Sequence, residues 1–378
     1  MSVWDEVVGQ RAAIEQFTRA LAPGGNLAQA WLIAGPPGSG RSIAARAFAA
    51  ALQCEQANGC GQCHACRMVL AGSHADVAVV ATDTLSISKD EVRSLVATAQ
   101  RSPATAPYRI IIVEDADRMS AGTFNVLLKA IEEPPPRTIW MLCVPSAQDM
   151  AQTIRSRCRL VTLVTPAPAD VADLLARRDG ADPQTASRAA RAAQGHIGIA
   201  RRYVHQPEAL AQREEAARAL LALTSVGGAV AYAQKLVEAA NAEAKDEADR
   251  VAQSQQEEFL RATGQEAAGR IPPQLRSQLK QLEDEAKKRA TRMTRDVIDR
   301  FLLDIHSVFR DMLTLQLNAG AEIINEGVMD ALQARAEYST PASSLAMLDA
   351  VGTARERIGG NVPPQLALEA LLAQAALG

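Results

Sequence analysis

One stretch constrains this chain more than any other. An apolar run over residues 30–34 passes directly into Gly35-Pro36-Pro37-Gly38-Ser39-Gly40-Arg41-Ser42, and a helical pattern follows at once. Strand, glycine-rich turn and helix in that order make a phosphate-binding loop: the glycines let backbone amides point inward, and the helix dipole adds to the field they create. Such a loop sits at the end of a strand in a mainly parallel sheet, so this part of the chain should be α/β. Further apolar runs at 77–81, 109–113, 138–144 and 160–164 bring the expected strand count to five. Helical spacing fills the gaps at 42–53, 88–101 and 120–133, and the last two open on serines, Ser88 and Ser120, suited to N-caps.

At 378 residues the chain exceeds one ordinary core. From the small helices at 166–206 onward no strand signal appears, and from 207 to 378 the pattern is wholly helical. The predicted plan is therefore an α/β module (1–165), a small helical domain (166–206) and an all-α C-terminal domain (207–378). Residues 241–290 carry 19 charged side chains and read as a solvated helical hairpin broken at Pro272 and Pro273. Leu275, Leu279, Leu282, Ala286 and Met293 form a narrow stripe along its second arm. Formal net charge is -3, which lacks the basic footprint of an independent nucleic-acid binder. The opening residues lack a basic-then-apolar leader pattern, and no apolar stretch of about 18 residues occurs, so the expectation is a soluble, cytoplasmic chain that does not enter a membrane.

The glycine-rich loop departs from the Walker A pattern at one position, where Arg41 replaces the lysine that reaches the β and γ phosphates. A guanidinium keeps the charge but is larger, planar and forked, so it cannot stand in for a compact ammonium without displacing phosphate. The strand at 109–113 ends in Glu114-Asp115, acids placed as in a Walker B strand but in inverted order. Capping of a strand end and residual magnesium binding are both open for this pair. ATP or ADP binding at this degenerate site is in doubt, and hydrolysis is not expected.

Four of the six cysteines, Cys54, Cys60, Cys63 and Cys66, fall within thirteen residues. Their spacing suits a tetrahedral thiolate site for one Zn²⁺, and four protein ligands leave no open position, so the expected role is structural. His64 lies within the knot and could replace one cysteine. A zinc-dependent DNA-binding module is one alternative function for such a chain, and the near-neutral charge argues against it.

The segment Asn125-Val126-Leu127-Leu128-Lys129-Ala130-Ile131-Glu132-Glu133-Pro134-Pro135, followed by a strand and Thr153-Ile154-Arg155-Ser156-Arg157-Cys158, resembles motifs of bacterial DNA polymerase III clamp-loader subunits, within the AAA+ superfamily. The resemblance covers residues 1–204. It implies an AAA+ module, a helical lid and a helical collar that assembles five subunits: delta-prime, delta and the gamma or tau ATPases. That hetero-pentamer opens a sliding clamp and places it on primed DNA. By the same resemblance, Arg157, with Ser156 and Cys158, would reach a neighbour's ATP site, and Arg201 in Gly195-His196-Ile197-Gly198-Ile199-Ala200-Arg201 matches a lid arginine of the chain's own nucleotide site. Departures from the pattern (Arg41, Glu114-Asp115, Val144-Pro145) cluster in that own site, which resembles the non-hydrolysing delta-prime class; the alternative is an active gamma/tau-type ATPase.

Overall fold

The protein is described by a computed structural model over residues 2–80, 87–119, 121–262 and 273–377. It forms two compact units, one running to Pro207 and one from Glu208.

In the first unit, β1 (Ala30–Ala34), β2 (Val77–Val80), β3 (Arg109–Val113), β4 (Thr138–Val144) and β5 (Arg159–Thr162) pair in parallel, in the order β2-β3-β4-β1-β5. The five expected strands all form: β1, β3 and β4 have the expected bounds, β5 begins one residue earlier and ends two earlier, and the expected last residue of β2, Ala81, lies outside the described residues. β5 stops short of Val164 because the side chain of Gln10 takes over its pairing: Val164 N–H donates to Gln10 Oε1 at 3.0 Å, and Gln10 Nε2 donates to the Val164 carbonyl at 2.7 Å. Helices α1 (Arg11–Leu21), α2 (Arg41–Leu52), α3 (His64–Leu70), α4 (Lys89–Ala99), α5 (Ala121–Glu132) and α6 (Gln152–Arg155) complete the module.

Strand periodicity decides what each face holds, because successive side chains point to opposite sides of a sheet. Trp31 and Ile33 of β1 join a core with Phe17 and Phe48 of α1 and α2, while Leu32 and Ala34 join another with Val92 of α4 and Leu127 of α5. Both faces are thus covered, which explains why the strands read as unbroken apolar runs. Ser88 caps α4 in a full capping box with Glu91; Ser120 lies outside the described residues.

Helices α7 (Pro168–Asp179), α8 (Pro183–Ala192) and α9 (Ile197–His205) close the first unit. Gly180, at φ 67°, ends α7 in a left-handed cap, and Asp182 accepts from the Gln184 and Thr185 amides to start α8.

The second unit is all helical: α10 (Pro207–Leu221), α11 (Val226–Ala262), α12 (Pro273–Leu317), α13 (Met329–Tyr338), α14 (Pro341–Gly359) and α15 (Pro364–Leu377). Its core runs from Leu220 and Ala233 through Ile298 and Leu302 to Val351 and Leu368. Buried Asp311 accepts from the Ile324 and Asn325 amides and so fixes the connection after α12. The break at Pro272 and the side chains of Leu275, Leu279, Leu282 and Ala286 lie outside the described residues. Among the described residues, no helix is long and apolar enough to cross a membrane.

Candidate functional site

The sheet order places the glycine-rich loop at the carboxyl end of interior β1, between β4 and β5, where open α/β sheets bind ligands. Gly38 and Gly40, at φ 80° and 85°, adopt conformations that disfavour any side chain. Glycine is also required for space: a Cβ at Gly35 would lie 2.7 Å from Leu163 Cβ, and one at Gly38 would collide with the imidazole ring of His196. The loop is tied down from outside by Gln10, whose Nε2 donates to the Ser39 carbonyl at 3.2 Å.

Arg41 does not reach forward from this loop. Its Nη1 donates to the Gly35 carbonyl at 2.6 Å, and Nη2 lies 3.7 Å from Asp115 Oδ1, with only 15% of the side chain exposed. Glu114 is taken by Arg46 of α2 at 3.1 Å. Asp115 also approaches Arg118 at 3.6 Å and sits at φ 52°. Both acids at the end of β3 thus face cations of the chain itself. A magnesium–nucleotide group does not fit this arrangement, because the guanidinium folds back over the loop and the carboxylates that would serve a metal are paired. Ser42 follows as the second residue of α2, half-buried.

Arg201 is similarly engaged. Its Nε and Nη2 fork onto Asp179, at 3.1 and 2.8 Å, and His205 adds a contact at 3.2 Å. The hydrogen bond from Arg201, aided by that from His205, outweighs burial and holds the Asp179 carboxyl below its ordinary range.

The cysteines converge as their spacing predicts. The sulfurs of Cys54, Cys60, Cys63 and Cys66 all lie within 4.8 Å of one another. A tetrahedral zinc site with bonds of about 2.3 Å places its sulfurs roughly 3.8 Å apart, so one ion suits the set. Backbone amides already point at the sulfurs: Cys60 N–H donates to Cys54 Sγ at 3.5 Å, Cys63 N–H to Cys60 Sγ at 3.3 Å and Cys66 N–H to Cys63 Sγ at 3.4 Å. Such donors favour thiolate and hold it in place. For Cys54, burial pushes the thiol up, but amide hydrogen bonds from Cys60 and its neighbours prevail and bring it to about 6. His64 is exposed at the start of α3 and is not among the converging groups.

Arg157 occupies the turn after α6. Ile154 beneath it is fully buried, and Cys158 packs on the same core, where burial raises its thiol to about 12 and keeps it unreactive. Between these anchors Arg157 stays outside, 41% exposed, with Nε 2.7 Å from Glu132 Oε1 and Nη1 donating to the Thr153 carbonyl at 2.8 Å.

Residues 9–167 match the family model described as DNA polymerase III, delta subunit. The N-terminal module is of the DNA polymerase III clamp-loader type. Its sequence is 34% identical over 160 residues to the DNA polymerase III subunit tau of Bacillus subtilis, covering 41% of this chain and 28% of that protein. Identity is also 34% over 152 residues to subunit delta' of Pseudomonas aeruginosa, covering 39% and 46%. The gamma/tau subunit of Mycobacterium tuberculosis matches at 34% over 176 residues, covering 46% and 30%. These matches span less than half the length of each relative. A DNA polymerase III gamma subunit-related protein of Thermotoga maritima covers 97% of this chain and 99% of its own at 15% identity, with a TM-score of 0.40, too distant to carry an argument.

Sequence patterns singled out the loop, the acids, the cysteines and Arg157, and gave almost no sign of what packs against them. Gln10, Asp179, His196 as a wedge against Gly38, and Glu132 as the partner of Arg157 came only from the tertiary structure. The residues carried one usable signal, the glutamate pair Glu132-Glu133 closing α5.

Proposed function

We propose that the chain is a non-hydrolysing, delta-prime-type subunit of the DNA polymerase III clamp loader. In this reading it assembles with delta and gamma or tau partners in a hetero-pentamer and offers Arg157 to a neighbouring subunit's ATP during loading of the sliding clamp onto primed DNA. The observation that carries the proposal is the contrast between Arg41, folded onto Gly35 and Asp115, and Arg157, held at the surface with a nitrogen to spare. A guanidinium presented by one subunit stabilises charge developing on a phosphoryl group held by another, and that work needs no nucleotide in the donor. Zn²⁺, held by Cys54, Cys60, Cys63 and Cys66, would supply stability alone.

A gamma/tau-type ATPase is the second reading, favoured by the equal identity to tau and gamma/tau relatives. It requires Arg41 and the Glu114-Asp115 pair to accept magnesium and nucleotide.

Reconstitution with partner subunits separates the two. With Arg157→Ala, assembly mass should be unchanged while clamp- and DNA-stimulated ATP hydrolysis falls, by up to roughly 10³ to 10⁵ at the site served and less in total because other sites dilute the drop. ATP turnover by the isolated wild-type chain above background would favour the ATPase reading instead.

A further inference from the structure

Arg157 is not merely exposed; it is aimed. Nε is committed to Glu132, and Nη1 to the Thr153 carbonyl, with the Ser156 hydroxyl 3.4 Å away. Nη2 has no hydrogen-bond partner among the described residues. A guanidinium is a rigid planar fork, so fixing two nitrogens fixes the direction of the third.

An ion pair this exposed, at 41% and 42%, adds only about 0–1 kcal/mol to folding. Stability therefore does not account for it. What distinguishes this pair is its mounting. Glu132 is the last residue of α5, a helix anchored through Leu127 and Ile131. Arg157 sits in a turn pinned by buried Ile154, whose amide donates to Ala151 O at 3.0 Å. Two anchored backbones thus hold a cation at the surface, with Nε and Nη1 engaged and Nη2 left as the open donor.

We propose that Glu132 is a positioning residue for Arg157: it holds the guanidinium through Nε so that Nη2 is offered to an anionic phosphate oxygen on a molecule docked against this face. The proposal rests on the reading of Arg157 as acting on a neighbour's nucleotide. Without the glutamate, the long side chain samples other rotamers, and the fraction of time it spends aligned falls. Misplacement of a catalytic group by about 1 Å can cost on the order of 100-fold at the affected site. The glutamate's charge also attracts the guanidinium it holds, but in water-exposed surroundings that attraction is weak enough to be overcome by a polyphosphate.

The test uses the fully reconstituted loader, with assembly mass checked for each variant, and follows clamp- and primed-DNA-stimulated ATP hydrolysis. Glu132→Ala should lower kcat by about threefold or more, with KM for ATP within about twofold, since alignment and not nucleotide affinity is lost. Glu132→Gln keeps an oxygen beside Nε and should recover most of the lost kcat. Glu132→Ala combined with Arg157→Ala should match Arg157→Ala alone, because a support has no function without what it supports. Unchanged turnover with Arg157→Ala overturns the parent reading and this proposal with it. A fall with Arg157→Ala but none with Glu132→Ala overturns the positioning role alone. A rise with Glu132→Ala would make the pair a latch and likewise overturn it.

Discussion

The nucleotide-loop cleft and the Arg157 turn are built from the same materials, arginines facing acids, and do opposite things with them. Around the loop, Arg41 folds onto Gly35 and Asp115 and Arg46 onto Glu114, and between α7 and α9 Arg201 forks onto Asp179. Arg41 is 15% exposed and Asp179 only 4%. At the turn, the Arg157–Glu132 pair stands in solvent. Burial of the acid makes the difference: Glu114 and Asp179 are 18% and 4% exposed against 42% for Glu132, while Arg46 and Arg201 are exposed almost as much as Arg157. Breaking a buried pair strands a charge in low dielectric at a cost of about 3–5 kcal/mol, whereas an exposed pair exchanges partners for about 1 kcal/mol or less. The cleft is closed by its own ion pairs, and the turn is free to trade.

The largest test of that contrast is removal of the metal. The protein should carry about one zinc per chain, and chelation or Cys66→Ser should lower the thermal midpoint steeply, since zinc contributes on the order of 10 kcal/mol to folding in small zinc domains. Because α2 begins in the glycine-rich loop and leads into the cysteine cluster, hydrogen exchange should accelerate in α2 and α3 first. Equal acceleration across residues 152–158 would break the distinction between the two regions.

Next in size is Gly38→Ala. The left-handed backbone and the imidazole of His196 both oppose a methyl group there, and denaturant unfolding should show a loss of about 2–4 kcal/mol. Ser156→Ala at the open turn should stay within about 0.5 kcal/mol. Similar losses at both positions would mean that the turn is as tightly packed as the loop.

Asp179→Asn should cost about 1–3 kcal/mol at neutral pH, because it removes the charge that receives Arg201 and His205. The sign of the pH dependence follows from the lowered carboxyl. Its folded pKa lies below the unfolded one, so its stabilisation is complete above the unfolded value and disappears as pH falls through the folded value. Wild type and variant should therefore converge in stability in acid and separate as the pH rises to the ordinary carboxylate range, above which the gap is constant. A gap that stays constant down into acid would show that packing, not charge, holds Arg201.

The smallest expected effect is none. Arg41→Lys should give the isolated chain no ATP turnover and no thermal upshift with magnesium and ATP, because Glu114 stays with Arg46 and the acids stay inverted. A saturable upshift would show that Arg41 alone closed the cleft.

The sequence by itself determined what depends on neighbours along the chain. Apolar runs had to become strands because a parallel sheet covered on both faces needs them, Ser88 could cap α4 from three residues away, and four cysteines within thirteen residues could meet around one ion. Tertiary structure decided which polar groups meet across long separations. Gln10 reaches Val164 over 154 positions, and Arg201 reaches Asp179 over 22. Such pairs leave no periodicity to read, because they are fixed by how the sheet order and helix packing bring distant backbones together. The same reason hid the fate of the two arginines. Arg41 and Arg157 are alike as residues, and only burial, set by the elements around each, turned one inward to its own carboxylate and left the other aimed at solvent.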